Sequence, residues 1–243
     1  MPPEVALEEL ERELEGFYDP DEFHREVVYY DVHSPESVSR EEARDADKRA
    51  IETFGIPSIL LMENAAIAVL REVKEYAVFA IVCSPGSNGG DGLALARHLC
   101  ILGKDVRVYI VGDPHKGSED FKTNLKIMSK LAPEVLNTIS DETFEDFESA
   151  LRGCETCIDA IFGTGLNRPV EGIFRRVIEA INRLATHVVS VDIPSGLDGN
   201  TGEPLGVCVR ATKTVTFHRM KKGLDASPQW GGDVTVTYIG IPD

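Results

Sequence analysis

Short apolar runs rich in β-branched residues alternate along the chain with segments whose apolar residues recur every three or four positions. The runs predict buried strands, and the periodic segments predict amphipathic helices. The predicted strands are residues 79–83, 106–111, 135–139, 156–162, 187–193, 213–217 and 233–239. The predicted helices are residues 39–54, 57–70, 93–99, 118–131, 143–152 and 174–184. This alternation predicts an α/β fold, Rossmann-like and doubly wound, with a mostly parallel sheet and helices on both faces.

The first part of the chain differs from the rest. It is a charged leader in which residues 4–15 have the pattern of a short amphipathic helix. The first helix of the main domain is expected just after it, because Ser39-Arg-Glu-Glu42 has the spacing of a capping box. We therefore predict an acidic N-terminal extension with a short helix over residues 1–35 and a single Rossmann-like domain over residues 36–243.

A glycine-rich stretch at residues 86–92 follows the first predicted strand and precedes a predicted helix. Glycines permit positive φ angles and close approach of a ligand, and backbone N–H groups at a helix N-terminus can hold a phosphate or another oxyanion. The spacing is not the dinucleotide fingerprint G-x-G-x-x-G. A tight structural turn is the alternative interpretation, but the polar Ser87, Asn88 and Asp91 among the glycines favour a ligand site.

Polar residues also end other predicted strands. In a parallel sheet the carboxyl ends of the strands share one edge, where ligands bind. The three turns expected to meet there are residues 86–92, 159–169 and 192–198. They would gather the oxygen donors Asn88, Asp159 and Ser195 beside Asp192. Because a carboxylate at the end of an apolar strand must be compensated by a cation, a donor or a ligand, Asp192 is the candidate catalytic residue.

Charge and composition exclude some classes of function. The 243 residues carry a formal net charge of −16 at pH 7, which argues against a nucleic-acid-binding surface. The sequence has no apolar run of membrane-spanning length and no signal-peptide pattern, so we expect no membrane contact and a cytoplasmic location.

Two smaller features leave alternatives open. Cys154 and Cys157 have redox spacing, but the second cysteine leads directly into an apolar strand, which favours a core or surface-turn role. Glu63 and Asn64 interrupt an apolar helix, where they lie either on its surface or against a polar site.

Several motifs occur in one order along the chain. They include GIPS at 55–58, LMEN at 61–64, GSNGGDG at 86–92, IDAIFGTGL at 158–166, VDIPSGLD at 191–198 and KGL at 222–224. Together they resemble the NAD(P)HX epimerase (NAD(P)H-hydrate epimerase) family from about residue 38 to residue 242. The resemblance implies interconversion of the R and S forms of NADHX and NADPHX, one bound K⁺ per subunit, and a homodimer. It also implies work with a separate NAD(P)HX dehydratase, because the dehydratase domain often fused to this family is not found after the last predicted strand.

The resemblance also assigns site residues. Those that fall on the family's substrate positions are Ser87, Asn88, Gly89, Gly90, Asp91, Gly163, Thr164, Gly165, Leu166, Asn167, Arg168, Pro169 and Asp192. The potassium side-chain ligands fall on Asn88, Asp159 and Ser195. Ser87 stands where the family usually has asparagine, so the chain departs from the family pattern at that contact.

The chemistry of the hydrates suits a single carboxyl group at Asp192. Loss of the hydroxyl needs a proton donor and leaves a planar iminium, and water returning to the other face needs a base. Two other classes remain open. One is a non-catalytic dimeric nucleotide-binding or scaffold module of the same fold, because the same domain type resembles the interaction module of a messenger-RNA decapping scaffold. The other is a kinase, which is disfavoured because no phosphate loop of the form G-x-x-x-x-G-K-[ST] occurs.

Overall fold

The computed structural model describes residues 37–242. The helix predicted at residues 4–15 and the domain boundary predicted near residue 35 lie outside the described residues. The helices are α1 (Arg40–Glu52), α2 (Ser58–Val73), α3 (Ser87–Ile101), α4 (Glu119–Leu131), α5 (Phe144–Gly153), α6 (Gly172–Leu184), α7 (Lys222–Ala226) and α8 (Pro228–Gly231). The strands are β1 (Val78–Cys83), β2 (Asp105–Ile110), β3 (Leu136–Thr138), β4 (Thr156–Ala160), β5 (Val188–Val191), β6 (Lys213–Phe217) and β7 (Asp233–Thr237).

The strands form one seven-stranded sheet in the order β3-β2-β1-β4-β5-β6-β7, and every named pair is parallel. The chain runs outwards from β1 to β3 and then returns to place β4 on the other side of β1. The predicted doubly wound α/β fold is confirmed. Its switch point lies between β1 and β4, where open sheets of this kind bind ligands.

Alternate side chains of the strands belong to two separate apolar cores, one on each face of the sheet. Phe79, Ile81 and Cys83 of β1 pack with residues of α1 to α4, whereas Ala80 and Val82 pack with residues of α5 and α6. Helices therefore cover both faces of the sheet, as the sequence predicts. Among residues 37–242, no helix is both long and apolar enough to cross a membrane.

The capping box at the start of α1 is confirmed. The Glu42 backbone N–H donates to Ser39 Oγ at 3.2 Å, and the Ser39 backbone N–H donates to Glu42 Oε2 at 2.6 Å. Three strands end earlier than predicted, because buried loop residues continue the apolar pattern beyond the last residue of each strand. Ile161, Ile193 and Ile239 continue the apolar runs, but they lie just beyond β4, β5 and β7 and are buried as loop residues in the core.

The glycine-rich stretch is a helix start instead of a separate turn. Helix α3 already begins at Ser87, and the glycines at 86, 89, 90 and 92 do not adopt positive φ. The positive φ angles that glycine permits are therefore not used at these positions. A Cβ at Gly89 would lie 1.7 Å from the Ser84 carbonyl oxygen, and one at Gly92 would lie 2.6 Å from the Ala160 Cβ. These glycines are needed because α3 packs directly against the ends of β1 and β4.

Gly92→Ala is expected to destabilise the fold by about 1–3 kcal/mol, the usual effect of adding a methyl group to a close-packed layer. Gly153→Ala is the matched control, because Gly153 ends α5 and nothing lies within 4 Å of its ideal Cβ position. Urea unfolding followed by circular dichroism should give a lower midpoint for Gly92→Ala and an unchanged or higher midpoint for the control. Equal midpoints would show that α3 can move away from the sheet at little cost.

Candidate functional site

A cleft of about 840 Å³ lies at the carboxyl ends of the strands. The first turn of α3, the loop after β4 and the residue after β5 all contribute to its lining. The predicted site residues that line it are Ser87, Asn88, Asp91, Gly163, Thr164, Gly165, Leu166, Asn167, Arg168 and Asp192. The predicted convergence of the glycine-rich stretch, the loop after β4 and Asp192 on one ligand-sized space is therefore observed.

Other predicted residues lie behind the cleft wall. A Cβ on Gly89 would collide with the Ser84 backbone, and one on Gly90 would collide with the Met62 side chain. Both glycines therefore pack against protein and do not face the cleft. Pro169, Asp159 and Ser195 are not part of the lining. Gly89 can still contribute its backbone N–H, since the first N–H groups of a helix have no partner within the helix and can bind an anion.

Asp159 and Ser195 form a fully buried polar pair. Ser195 Oγ donates to Asp159 Oδ1, and the Ser195 N–H and the Ser190 hydroxyl donate to Asp159 Oδ2 at 2.8 and 2.7 Å. Burial raises the pKa of Asp159, although these hydrogen bonds oppose the shift. Because the donors are neutral groups, a cation beside this pair would offset the cost of burying the carboxylate charge.

Asn88 lies in the first turn of α3 and is 93% buried, since its exposed fraction is 7%. Neither its Oδ1 nor its Nδ2 has a hydrogen-bond partner. A buried amide with both atoms unpaired is rare and calls for an explanation. The amide oxygen fits a cation and the amide nitrogen fits a ligand acceptor, so Asn88 is suited to bind what enters the cleft.

Asp192 follows β5 and adopts a left-handed backbone conformation with φ of 68°. Its Oδ1 lies 2.7 Å from Lys221 Nζ, and Lys221 is almost completely buried. Its Oδ2 lies 3.4 Å from the ideal Cβ position of Gly163, and Asn88 Oδ1 lies 3.5 Å from the same point. Strained backbone of this kind clusters at functional sites, which supports Asp192 as the reactive residue.

Lys221 was not among the predicted site residues. The adjacent Lys222 was named only as the first residue of the KGL motif, and its Nζ lies on the protein surface 3.1 Å from Glu42 Oε2. Two consecutive lysines look alike in sequence, and the start of α7 at Lys222 determines which one points inwards. A lysine close after the last residues of a strand was the available signal.

Two further carboxyl groups line the cleft. Asp47 is solvent-accessible, yet desolvation within the cleft and the nearby charge of Asp192 raise its pKa to about 6. Burial raises the pKa of Asp91 well above its usual range, with smaller contributions from the charges of Asp192, Asp47 and Asp120. The cleft therefore holds two carboxyl groups whose pKa values are raised, which is typical of functional sites.

The structure also decides the alternatives that the sequence left open for Glu63 with Asn64 and for Cys154 with Cys157. Glu63 pairs with Arg97 and His98 of α3, and Asn64 Nδ2 donates to the Ile239 carbonyl oxygen at 2.7 Å. Both side chains bind neighbouring elements and neither lines the cleft. Cys154 and Cys157 are free thiols whose pKa values burial raises, which is the opposite of what redox chemistry needs.

A family model described as YjeF-related protein N-terminus matches residues 58–223 of the chain. The chain belongs to this family. Similar members include a protein from Anaerococcus prevotii named NAD(P)H-hydrate epimerase, 42% identical over 84% of this chain and 95% of its own length. Another is a protein from Thermofilum pendens named bifunctional NAD(P)H-hydrate repair enzyme Nnr, 43% identical over 81% of this chain. The chain spans 38% of that bifunctional relative.

The fold of the YjeF-related family is also found in a solved structure. A crystal structure of the yeast protein YNL200c superimposes with a TM-score of 0.70, covers 84% of this chain and 88% of its own, and is 24% identical in sequence. At that identity the likeness concerns the fold alone. It agrees with the doubly wound α/β architecture described above.

Proposed function

We propose that this protein epimerises the R and S forms of NADHX and NADPHX. The observation that carries the proposal is the placement of Asp192, whose second oxygen faces Gly163 and the unpaired amide of Asn88 inside the cleft. Stand-alone relatives of nearly equal length bear the name NAD(P)H-hydrate epimerase, among them one from Oenococcus oeni that is 36% identical over 84% of this chain and 96% of its own length.

The reaction requires one group that gives and then takes a proton. The lone pair of the ring nitrogen expels the hydroxyl of the adjacent carbon, and the Asp192 carboxyl protonates that hydroxyl as water leaves. A planar iminium remains. Water then adds to the opposite face and releases a proton, which returns through solvent in the cleft to the Asp192 carboxylate. This step regenerates the carboxyl group and inverts the centre. The N–H groups at the start of α3 supply donors for the phosphates of the substrate.

Asp192→Asn is expected to slow epimerisation by about 100- to 10,000-fold, the usual contribution of a positioned acid–base group. The substitution also removes the negative partner of the buried Lys221, so some loss of stability is expected with it. The double variant Asp192→Asn/Lys221→Met removes both charges and serves as the control for stability. Chromatography of the two hydrates gives the rate. An unchanged rate in folded Asp192→Asn would refute the assignment, and an inactive wild type would favour the non-catalytic module.

We propose that the site also holds one K⁺ through Asn88, Asp159 and Ser195. The unpaired amide of Asn88 and the neutral donors around the buried Asp159 carboxylate support this. In the described part of the chain, no group of three or more His, Cys, Asp or Glu side chains is placed to hold a metal ion, so a cation here would rely on amide and hydroxyl oxygens. Such donors suit K⁺ better than Mg²⁺, which demands tight octahedral geometry. When bound, the ion supplies positive charge beside the carboxylates.

The wild-type protein is expected to have a higher melting temperature in potassium chloride than in tetramethylammonium chloride at equal ionic strength. The reason is that an ion that binds only the folded state stabilises it. Asp159→Asn should abolish most of this difference, since it removes the charged ligand. Ser195→Ala should reduce it less, since it removes one neutral oxygen. Identical melting temperatures of the wild type in the two salts would refute all three assignments.

We further propose a homodimer, a cytoplasmic location and a separate dehydratase as functional partner. Exposed apolar side chains beside α1 and on α2, Phe54 and Leu60, support a contact surface. The name of the bifunctional relatives supports a second repair activity outside this domain.

Light scattering at micromolar concentration should give about twice the monomer mass of 26.7 kDa. Leu60→Glu is expected to shift the mass towards the monomer, because a buried charge in an apolar contact is costly. Ile127→Glu on α4, which is also exposed, is the control from a different helix. A monomer mass for the wild type would refute the dimer.

A further inference from the structure

Lys221 is a charged residue of the cleft whose role the proposed reaction leaves open. We propose that Lys221 is a positioning residue, which fixes one oxygen of Asp192 so that the other faces the substrate. The inference rests on the proposed function for its kinetic consequences, and on the geometry alone for its structural ones.

All three N–H bonds of the Lys221 ammonium have protein acceptors. Nζ lies 2.7 Å from Asp192 Oδ1, 2.9 Å from Thr216 Oγ1 and 2.7 Å from the Phe217 carbonyl oxygen. An ammonium group has three donors and no acceptor. With its donors in use and only 3% of the residue exposed, Lys221 is not placed to donate a proton to a ligand. It acts through Asp192.

The backbone around Lys221 is held on both sides. The Val38 N–H donates to the Met220 carbonyl oxygen, and the Lys222 N–H donates to the Val38 carbonyl oxygen, each at 2.8 Å. The segment before α1 therefore fixes the residue that carries the ammonium. Asp192 is fixed from the opposite side, because its N–H donates to the Val215 carbonyl oxygen of β6 at 2.8 Å.

This arrangement divides the two oxygens of Asp192 between two tasks. Oδ1 accepts from Lys221, and Oδ2 faces the Gly163 side of the cleft, near Asn88. Rotation of the carboxyl group would break this contact and leave one N–H of the buried ammonium without an acceptor, which is unfavourable. The pair thus holds Asp192 in one orientation before any ligand binds.

The test compares Lys221→Met with Lys222→Met. Both variants replace a lysine by an uncharged chain of similar length at adjacent positions, but Lys222 lies on the surface and pairs with Glu42. Lys221→Met is expected to lower kcat by about 100-fold with KM within about twofold, the effect of misplacing a reacting group. Lys222→Met should leave both constants unchanged. Lys221→Arg keeps the charge and should recover at least part of the lost kcat.

Crystal structures of the two variants provide a readout that does not depend on activity. The Asp192 carboxyl group should rotate in Lys221→Met and keep its orientation in Lys222→Met. If Lys221→Met does not fold, Thr216→Val removes one acceptor of the ammonium and should lower kcat by about fivefold, the value of one hydrogen bond of about 1 kcal/mol.

Two results would overturn the proposal. One is an unmoved Asp192 carboxyl group in Lys221→Met, and the other is a loss of kcat that follows the melting temperature and that Lys221→Arg does not restore. A wild type that fails to epimerise the hydrates would refute the proposed function instead, and the two crystal structures would then decide the positioning role by themselves.

Discussion

The close approach of α3 to the ends of β1 and β4 is the constraint on which the site depends. Positions 89 and 92 have no room for a Cβ, because the Ser84 backbone and the Ala160 side chain occupy that space. With larger residues the helix would move outwards, and its N-terminal N–H groups and Asn88 would leave the switch point of the sheet. The glycines therefore serve the core and the cleft through one physical effect, the short distance between a helix and a sheet.

The cleft and the layer behind it show three ways of burying polar groups. Asp159 accepts hydrogen bonds from neutral donors, and Asp192 is paired with a buried ammonium. Asn88 has no partner for either amide atom. Unpaired buried groups lose stability, so a fold retains one only where another requirement outweighs the cost. The stability lost at Asn88 is best explained by binding, since its amide can face a cation with one atom and a ligand with the other.

The sequence was sufficient for the features that short-range rules govern. Strand and helix alternation predicted the parallel sheet, and the Ser39-to-Glu42 spacing predicted the cap that is observed. Features that depend on distant packing were not predictable in the same way. The glycines of α3 were interpreted as turn residues, because the obstruction at Gly92 comes from Ala160, far away in sequence. Lys221 was missed for a related reason, since its partner Asp192 lies far away in sequence.

The space between Asn88 and Asp192 is left open by the packing of the chain and lies beside the proposed reactive group. Both side chains end 3.4–3.5 Å from the point where a Cβ on residue 163 would lie. Gly163 does not have positive φ, so backbone strain does not require glycine there. An alanine would fit in van der Waals contact and would fill the volume between the unpaired amide and the carboxylate. What glycine preserves at this position is therefore the open volume itself, placed where an orphaned donor and acceptor and an oriented carboxyl oxygen converge. That combination favours a site for a ligand over a structural turn, because a turn would have gained stability from closing the gap.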